Sequence, residues 1–195
     1  MRFGGAMAED ILLAACSPRR GGNSDFAAHL LQEALPGRSL VRRVADLGVR
    51  PCISCGFCAL HPGFCSLDTP EDGAKALFED MQRARFCLVI SPVYFYHLPA
   101  QAKAWVDRTQ RFWACGEKPA HGRILSAVLF GARPRGEKLF EGAERTLRYM
   151  ALALGMSWQE PLRLYGLDGP DALEKSAEAR ERILEYAKGF GGEPA

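Results

Sequence analysis

The sequence predicts an α/β fold: a doubly wound, five-stranded parallel sheet in one domain, 1–195, with a cysteine-rich insertion at about 51–68. Three observations carry this. Near-continuous apolar runs at Ile11–Cys16, Phe86–Ser91 and Ile124–Phe130 read as parallel strands buried on both faces. Amphipathic segments of helical period lie between them, the alternation that builds such sheets. The composition is ordinary for a globular domain: 195 residues, 48% hydrophobic, 25% charged, formal net charge +2.

The elements follow in order. The first strand, Ile11–Cys16, ends in a turn at Ser17 and Pro18 followed by Gly21 and Gly22. A helix runs from about Ser24, with Phe26, Ala27, Leu30, Leu31, Ala34 and Leu35 on one face, and stops at Pro36 and Gly37. Leu40–Leu47 is a weaker, more polar strand near an edge. Thr69, Pro70, Glu71 and Asp72 predict a helix start, running to about Ala84. After the strand Phe86–Ser91, Pro99 opens a helix with Ala102, Trp105, Val106, Thr109 and Phe112 on one face. Ile124–Phe130 is the next strand, and a helix covers about Glu137–Leu154. A last short strand near Trp158–Leu164 and a helix over Asp171–Lys188 close the chain.

Composition excludes several classes. It is not that of a disordered, collagen-like or disulfide-stapled chain, and a net charge of +2 gives no electrostatic footprint for nucleic acid. The run Ile11–Cys16 is far too short to span a bilayer, and the N-terminal residues lack a signal-peptide pattern, so a cytoplasmic location is expected.

Open α/β sheets bind ligands at the carboxyl ends of their strands. The loop Ser17-Pro18-Arg19-Arg20-Gly21-Gly22-Asn23-Ser24 stands there and feeds a helix N-terminus, an arrangement that favours phosphate. No G-x-G-x-x-G follows any strand, and Gly131–Lys138 has Glu137 where a Walker loop needs lysine. After Phe86–Ser91 come Tyr94, Phe95 and Tyr96, a loop able to wall a flat ring. A singly phosphorylated planar cofactor in such a sheet points to FMN.

Seven cysteines spread evenly would put about half a cysteine in any 14-residue window, yet Cys52–Cys65 holds four. Their spacing is Cys52-x2-Cys55-x2-Cys58-x6-Cys65, with Gly56 and Gly63 supplying backbone freedom. Structural zinc sites use two separate C-x2-C pairs, whereas ferredoxin-type sites begin with the overlapping triplet. The pattern therefore favours a [4Fe–4S] cluster, with zinc or an empty loop as the alternatives. His61 inside the block is an alternative ligand; Cys87 reads as packing, and Cys115 as buried or a loop thiol.

The loop SPRRGGNS, the cysteine block and the segment PVYF followed by QAKAWVDR resemble the iron–sulfur flavoprotein family, within the wider group of flavodoxin-like, NADPH-dependent FMN reductases. The likeness runs from Ile11 to about Leu164. It implies that Ser17, Arg19, Asn23 and Ser24 hold the FMN phosphate, that Pro92, Val93, Tyr94 and Phe95 border the isoalloxazine, and that Gly131 belongs to a third cofactor loop. It implies that Cys52, Cys55, Cys58 and Cys65 are the cluster ligands, and that the chain forms a homodimer or a dimer of dimers. Lys103, Asp107 and Arg108 match the family's helix as ion-pairing groups. Cys16 departs from the pattern, standing where relatives carry glycine beside the phosphate loop.

The leading functional expectation is an electron-transfer oxidoreductase. A ferredoxin-like donor would feed a cluster, and FMN would pass electrons to oxygen, peroxide or a quinone. The second is a cluster-free NAD(P)H-dependent FMN or quinone reductase, and the third a non-enzymatic cysteine or metal sensor. No general acid or base is nominated; His97 is the one residue placed to relay a proton.

Overall fold

Along β1 (Ile11–Ala15), Leu12 and Ala14 join one apolar cluster while Ile11, Leu13 and Ala15 join another, the alternation of a strand buried on both faces. The structure is a computed structural model describing residues 10–35 and 39–190. β2 (Ser39–Arg43) flanks β1 on one side and β3 (Phe86–Pro92) on the other, and β4 (Ile124–Phe130) follows β3, all parallel. β5 (Ser157–Trp158) and β6 (Leu162–Leu164) both pair with β4. The order β2-β1-β3-β4-β5 is that of a flavodoxin-like sheet, whose topological switch falls between β1 and β3.

The helices, in chain order, are α1 (Asn23–Ala34), α2 (Phe57–Leu60), α3 (Ala74–Arg83), α4 (Ala100–Asp107), α5 (Gln110–Cys115), α6 (Glu141–Leu154), α7 (Ala172–Lys175) and α8 (Ala177–Lys188). Ala27, Ala28 and Leu31 of α1 pack with Ile183 and Ala187 of α8 in one cluster. Leu77, Phe78 and Met81 of α3, Trp105 of α4, Phe112 of α5 and Leu147 of α6 belong to the other. Phe78 meets Phe112 edge-on at 5.1 Å, a contact worth about 1 kcal/mol beyond its burial, which fixes α5 against α3.

Several boundaries differ from the sequence expectation. The weak second strand stops at Arg43 and gives way to a single 3-10 turn over Val44–Leu47. Thr69–Asp72 does not start a helix: the Asp72 N–H donates to the Thr69 carbonyl at 3.1 Å, closing a turn. The helix begins at Ala74, because the buried Asp72 carboxylate is already engaged by Arg108 and by the Arg50 and Ala74 N–H groups. The helix after Pro99 breaks at Arg108–Thr109, where the Thr109 hydroxyl bonds the Val106 carbonyl at 2.7 Å. The sixth helix starts at Glu141, four residues later than expected, and the last divides at Ser176, whose hydroxyl caps α8.

The final strand is split. Residues 124 and 125 face 157 and 158, whereas 128 faces 162, so one extra residue bulges opposite β4. Pro161 lies in that bulge and has no N–H to give, while the Ser126 hydroxyl takes up the Gln159 carbonyl at 3.0 Å. The predicted helix stop at Pro36 and Gly37, like the N-terminal residues 1–9, lies outside the described residues. Among the described residues no helix is long and apolar enough to cross a membrane.

Candidate functional site

Two cavities lie on different parts of this frame. The first, about 250 Å³, opens at the carboxyl ends of β1, β3, β4 and β6. Its lining includes Ser17, Arg19, Asn23 and Ser24 from the β1–α1 loop, Pro92, Val93 and Tyr94 from the end of β3, and Leu167–Pro170 beyond β6. The sheet brings these segments together from sites far apart in sequence. Gly21 sits at φ +64°, and its N–H reaches the Asp25 carboxylate at 2.7 Å, which sets the turn. Arg43 pins the same loop from β2: its guanidinium pairs with Asp25 at 2.8 Å and donates to the Arg19 carbonyl at 3.1 Å.

The chemistry of this cradle fits a phosphate. The Ser24 hydroxyl is buried and has no hydrogen-bond partner, a costly state for a polar group. It stands at the start of α1, whose N-cap, Gly22, supplies no side-chain cap. No carboxylate neutralises Arg19 among the described residues. Ser17, by contrast, is committed to its own loop, accepting the Arg19 N–H at 3.2 Å. Asn23 is committed too: its amide donates to the Gly169 carbonyl at 2.9 Å and accepts the Leu173 N–H at 3.0 Å, tying this loop to the one after β6. Leu167, Asp168, Gly169 and Pro170 escaped the sequence reading. The turn signature Asp168-Gly169-Pro170, separated from the last strand by three residues, was the available signal.

Two predicted cofactor residues stand apart from the lining. Gly131 is packed behind it: a Cβ there would come within 2.4 Å of Leu139 Cδ2, while its neighbours Phe130 and Ala132 do face the cavity. Phe95 lies fully in solvent, at the tip of a tight turn. In that turn Tyr94 and His97 exchange both backbone hydrogen bonds at 2.9 Å, and Phe95 and Tyr96 hold φ of +48° and +62°. Left-handed backbone costs an L-residue roughly 1–2 kcal/mol, so the turn presents two aromatic rings at the expense of strain. Arg133 steadies it, donating to the Tyr96 hydroxyl at 2.6 Å and lying 5.5 Å over its ring. His97 Nδ1 accepts the Leu98 N–H and Nε2 lies 2.9 Å from the Thr146 hydroxyl, so both ring nitrogens are engaged. Burial, then the nearby Lys103, lowers its pKa, and the imidazole acts as a neutral brace for the turn.

The second cavity, about 340 Å³, is lined by Cys52, Cys55, Cys58 and Cys65, with Arg108 and Arg111 of the α4–α5 segment. Gly56 and Gly63 take φ of +73° and +77°, the freedom expected of them. The Ser66 hydroxyl 3.1 Å from Cys55 Sγ lowers that thiol's pKa, whereas burial and then the neighbouring Cys65, Cys52 and Cys55 raise that of Cys58. Among the described residues no group of three or more His, Cys, Asp or Glu side chains is placed to hold a metal ion. The four thiols ring a cavity and do not close on one point as tetrahedral zinc ligands at about 2.3 Å would. His61 stacks on Phe57 at 4.1 Å and is not part of this lining.

The remaining thiols pack. Cys16 is fully buried, its pKa pushed up to about 12 by burial, and it is not part of the lining of the phosphate cradle. Cys87 is buried in β3 and its thiol is likewise pushed up, and Cys115 donates to the Arg111 carbonyl at 3.0 Å. Lys103 pairs with Asp107, and Arg108 with Asp68 and Asp72, as the ion-pairing reading of this helix expects.

The fold and the cradle agree with what the chain is similar to. An iron–sulfur flavoprotein of Methanosarcina thermophila is 32% identical over 96 residues, 48% of each chain. An FMN-dependent NADH:quinone oxidoreductase of Pseudomonas fluorescens is 28% identical over 127 residues, 59% of each. The matched part thus spans about half of these relatives. An FMN-dependent NADH-azoreductase of Bacillus anthracis, solved in complex with FMN, shares the fold with a TM-score of 0.61 at 14% identity, covering 93% of this chain and 98% of its own. The family model for NADPH-dependent FMN reductase matches residues 10–157, from the approach to β1 to the start of β5, and with the phosphate-suited loop in place the chain belongs to that family.

Proposed function

We propose that this flavin-dependent oxidoreductase binds FMN in the first cavity and uses it to pass electrons from a nicotinamide dinucleotide to a flat, conjugated acceptor of the quinone class. The observation that carries this reading is the buried, partnerless Ser24 hydroxyl at the uncapped start of α1, beside Arg19. Ser24 and the first N–H groups of α1 would hold the phosphate, with Arg19 supplying the countercharge. FMN, once bound, supplies the chemistry: it accepts a hydride as a pair and gives electrons up in ones or twos.

The chain's own groups then have positioning roles. Pro92, Val93 and Tyr94 wall the ring side of the cavity, and Asn23 keeps the β1–α1 and β6–α7 loops closed around it. Phe95 and Tyr96, presented by a strained turn, offer a surface on which a planar acceptor stacks. No side chain needs to donate or abstract a proton, which accords with a neutral, fully engaged His97. The name of the Pseudomonas relative supports quinone as the acceptor class.

A second reading is favoured by one observation, four thiols lining a single cavity above two buried arginines. The pocket suits a polynuclear group better than a single ion, so Cys52, Cys55, Cys58 and Cys65 would ligate a [4Fe–4S] cluster. A one-electron donor of the ferredoxin kind would then replace the dinucleotide, and the name of the Methanosarcina relative supports this. Anaerobic purification followed by flavin, iron and sulfide analysis tests both readings. One FMN per chain without iron supports the first alone, and four irons and four sulfides per chain support the second. Absence of FMN after reconstitution refutes the proposed function.

A further inference from the structure

Beneath the four cysteines lies a charged network that the flavin chemistry does not use. Arg108 is 1% exposed and Arg111 3%, and both line the cysteine cavity. Between them stands Asp68: it receives Arg108 Nη2 at 2.9 Å, Arg111 Nη1 at 2.8 Å and Arg111 Nη2 at 2.5 Å. The same carboxylate accepts the backbone N–H of Cys65 at 3.3 Å. Arg108 also reaches Asp72 at 2.7 Å and the Arg50 carbonyl at 3.1 Å. The Nε atoms of both arginines are buried and have no hydrogen-bond partner.

Such a group is expensive. Taking two guanidiniums out of water is strongly unfavourable before pairing, and a partnerless buried N–H adds to it. An apolar floor would hold the loop equally well. What buried arginines give that leucines do not is a fixed positive potential on the protein side of a cavity whose other wall, at Cys52 and Cys55, is exposed. The network also has an internal opposite, since Asp68 sits between the two cations and weakens their field.

We propose that Arg111, balanced by Asp68, is the electrostatic control of the four-cysteine cavity, setting the reduction potential of an anionic cluster held there. This rests on the second reading above. Thiolate-ligated clusters become more negative by one charge on taking up an electron, so a nearby cation stabilises the reduced form and raises the potential. A nearby carboxylate does the reverse. Arg111 and Asp68 are therefore positioning residues for charge, with no covalent role.

The test is a spectroscopic redox titration of the anaerobically purified, iron-reconstituted chain, comparing Arg111→Gln, Arg111→Lys and Asp68→Asn with the parent. Iron, labile sulfide and FMN are counted in each. The expected result is a downward shift for Arg111→Gln, an upward shift for Asp68→Asn and a potential close to the parent for Arg111→Lys. A purely structural role predicts loss of iron, or shifts of one sign for both charge-removing variants, and either result overturns the proposal. If Arg111→Gln does not fold, the sign for Asp68→Asn and the rescue by lysine still decide it. A parent chain that binds FMN but no iron defeats the cluster reading itself, and this proposal with it. Full iron in every variant with unmoved potentials defeats this proposal alone.

Discussion

Replacing Ser24 by alanine should move the empty and the loaded protein in opposite directions. In the empty cradle the Ser24 hydroxyl is buried without a partner, a state that costs about 1–3 kcal/mol. Removing it takes away that cost and leaves a methyl group in a site already closed to water. The apo protein should therefore gain on the order of 1 kcal/mol, which for a chain of this size is about 2–4 °C in Tm. With FMN present, the same hydroxyl would donate to a charged phosphate, a bond worth about 1.5–3 kcal/mol. At about 1.4 kcal/mol per tenfold, the dissociation constant should rise roughly 10- to 100-fold. The stabilisation that saturating flavin confers would shrink correspondingly. Differential scanning calorimetry of the apo form, paired with fluorescence titration of FMN, reads both effects. Ser17→Ala is the control, because Ser17 accepts the Arg19 N–H and its loss should destabilise the apo form. An apo Ser24→Ala protein that melts lower than the parent, or one that binds FMN with unchanged affinity, refutes the reasoning.

Other perturbations read other parts of the frame. Phe95→Asn should raise apo stability by about 1 kcal/mol, since asparagine tolerates the φ of +48° and Phe95 buries nothing, as a melting curve will show. Gly142→Ala should cost about 1–3 kcal/mol and weaken FMN binding, because the new Cβ would lie 2.5 Å from the Tyr96 carbonyl and push the aromatic turn; urea melts and flavin titration check this. Arg108→Met should cost about 3–5 kcal/mol in urea unfolding, as it takes the buried guanidinium from Asp72 and one of the two from Asp68, which keeps Arg111. The same variant should change the acid limb. Burial opposes ionisation of Asp72, but Arg108 and the Ala74 and Arg50 N–H groups outweigh it, so its folded pKa lies below the unfolded one. Its stabilisation is therefore present above about pH 4 and lost as pH falls through the lower folded value, and that slope should flatten once Arg108 is gone.

The parts legible in the sequence are those fixed by short-range periodicity. Buried strands declare themselves, so β1, β3 and β4 stand within a residue or two of their expected limits. The phosphate loop was legible for the same reason, since a strand, a glycine turn and a helix follow one another directly. Boundaries set by distant partners were not. Thr69–Asp72 has every local mark of a helix start, yet Asp72 is claimed by Arg108, a residue 36 positions away. The strand at Trp158–Leu164 divides because it must keep register with β4 around Pro161, a demand that appears only once the two strands are side by side. The loop after β6 joined the first cavity unannounced, because its tie is the Asn23 amide, 146 positions away in the chain.

The cysteine block shows what spacing alone leaves open. Four cysteines in 14 residues announce a site, and the glycines at positive φ show that the loop is built to bend as it does. Spacing says nothing of what lies underneath. Arg108 and Arg111 look from sequence like the polar residues of an ordinary helix, and Arg108 was legible only as an ion-pairing group. They become part of the lining because, at the junction of α4 and α5, both reach the same carboxylate, Asp68. Residues three positions apart on a helical backbone are neighbours on one face, and Arg108 and Thr109 both keep right-handed helical dihedrals, so one carboxylate serves both guanidiniums. The Asp68 carboxylate is thus what joins two unremarkable arginines into one charged group. Thr109→Ala, which removes the hydroxyl bond to the Val106 carbonyl and leaves the backbone N–H of residue 109 on it at 3.0 Å, is the smallest change that bears on the junction of α4 and α5. Hydrogen exchange at the Phe112 and Trp113 amides, both bonded to the Thr109 carbonyl, should register a straightened segment, and an unchanged exchange pattern would show that Arg108 and Asp68 hold the break by themselves.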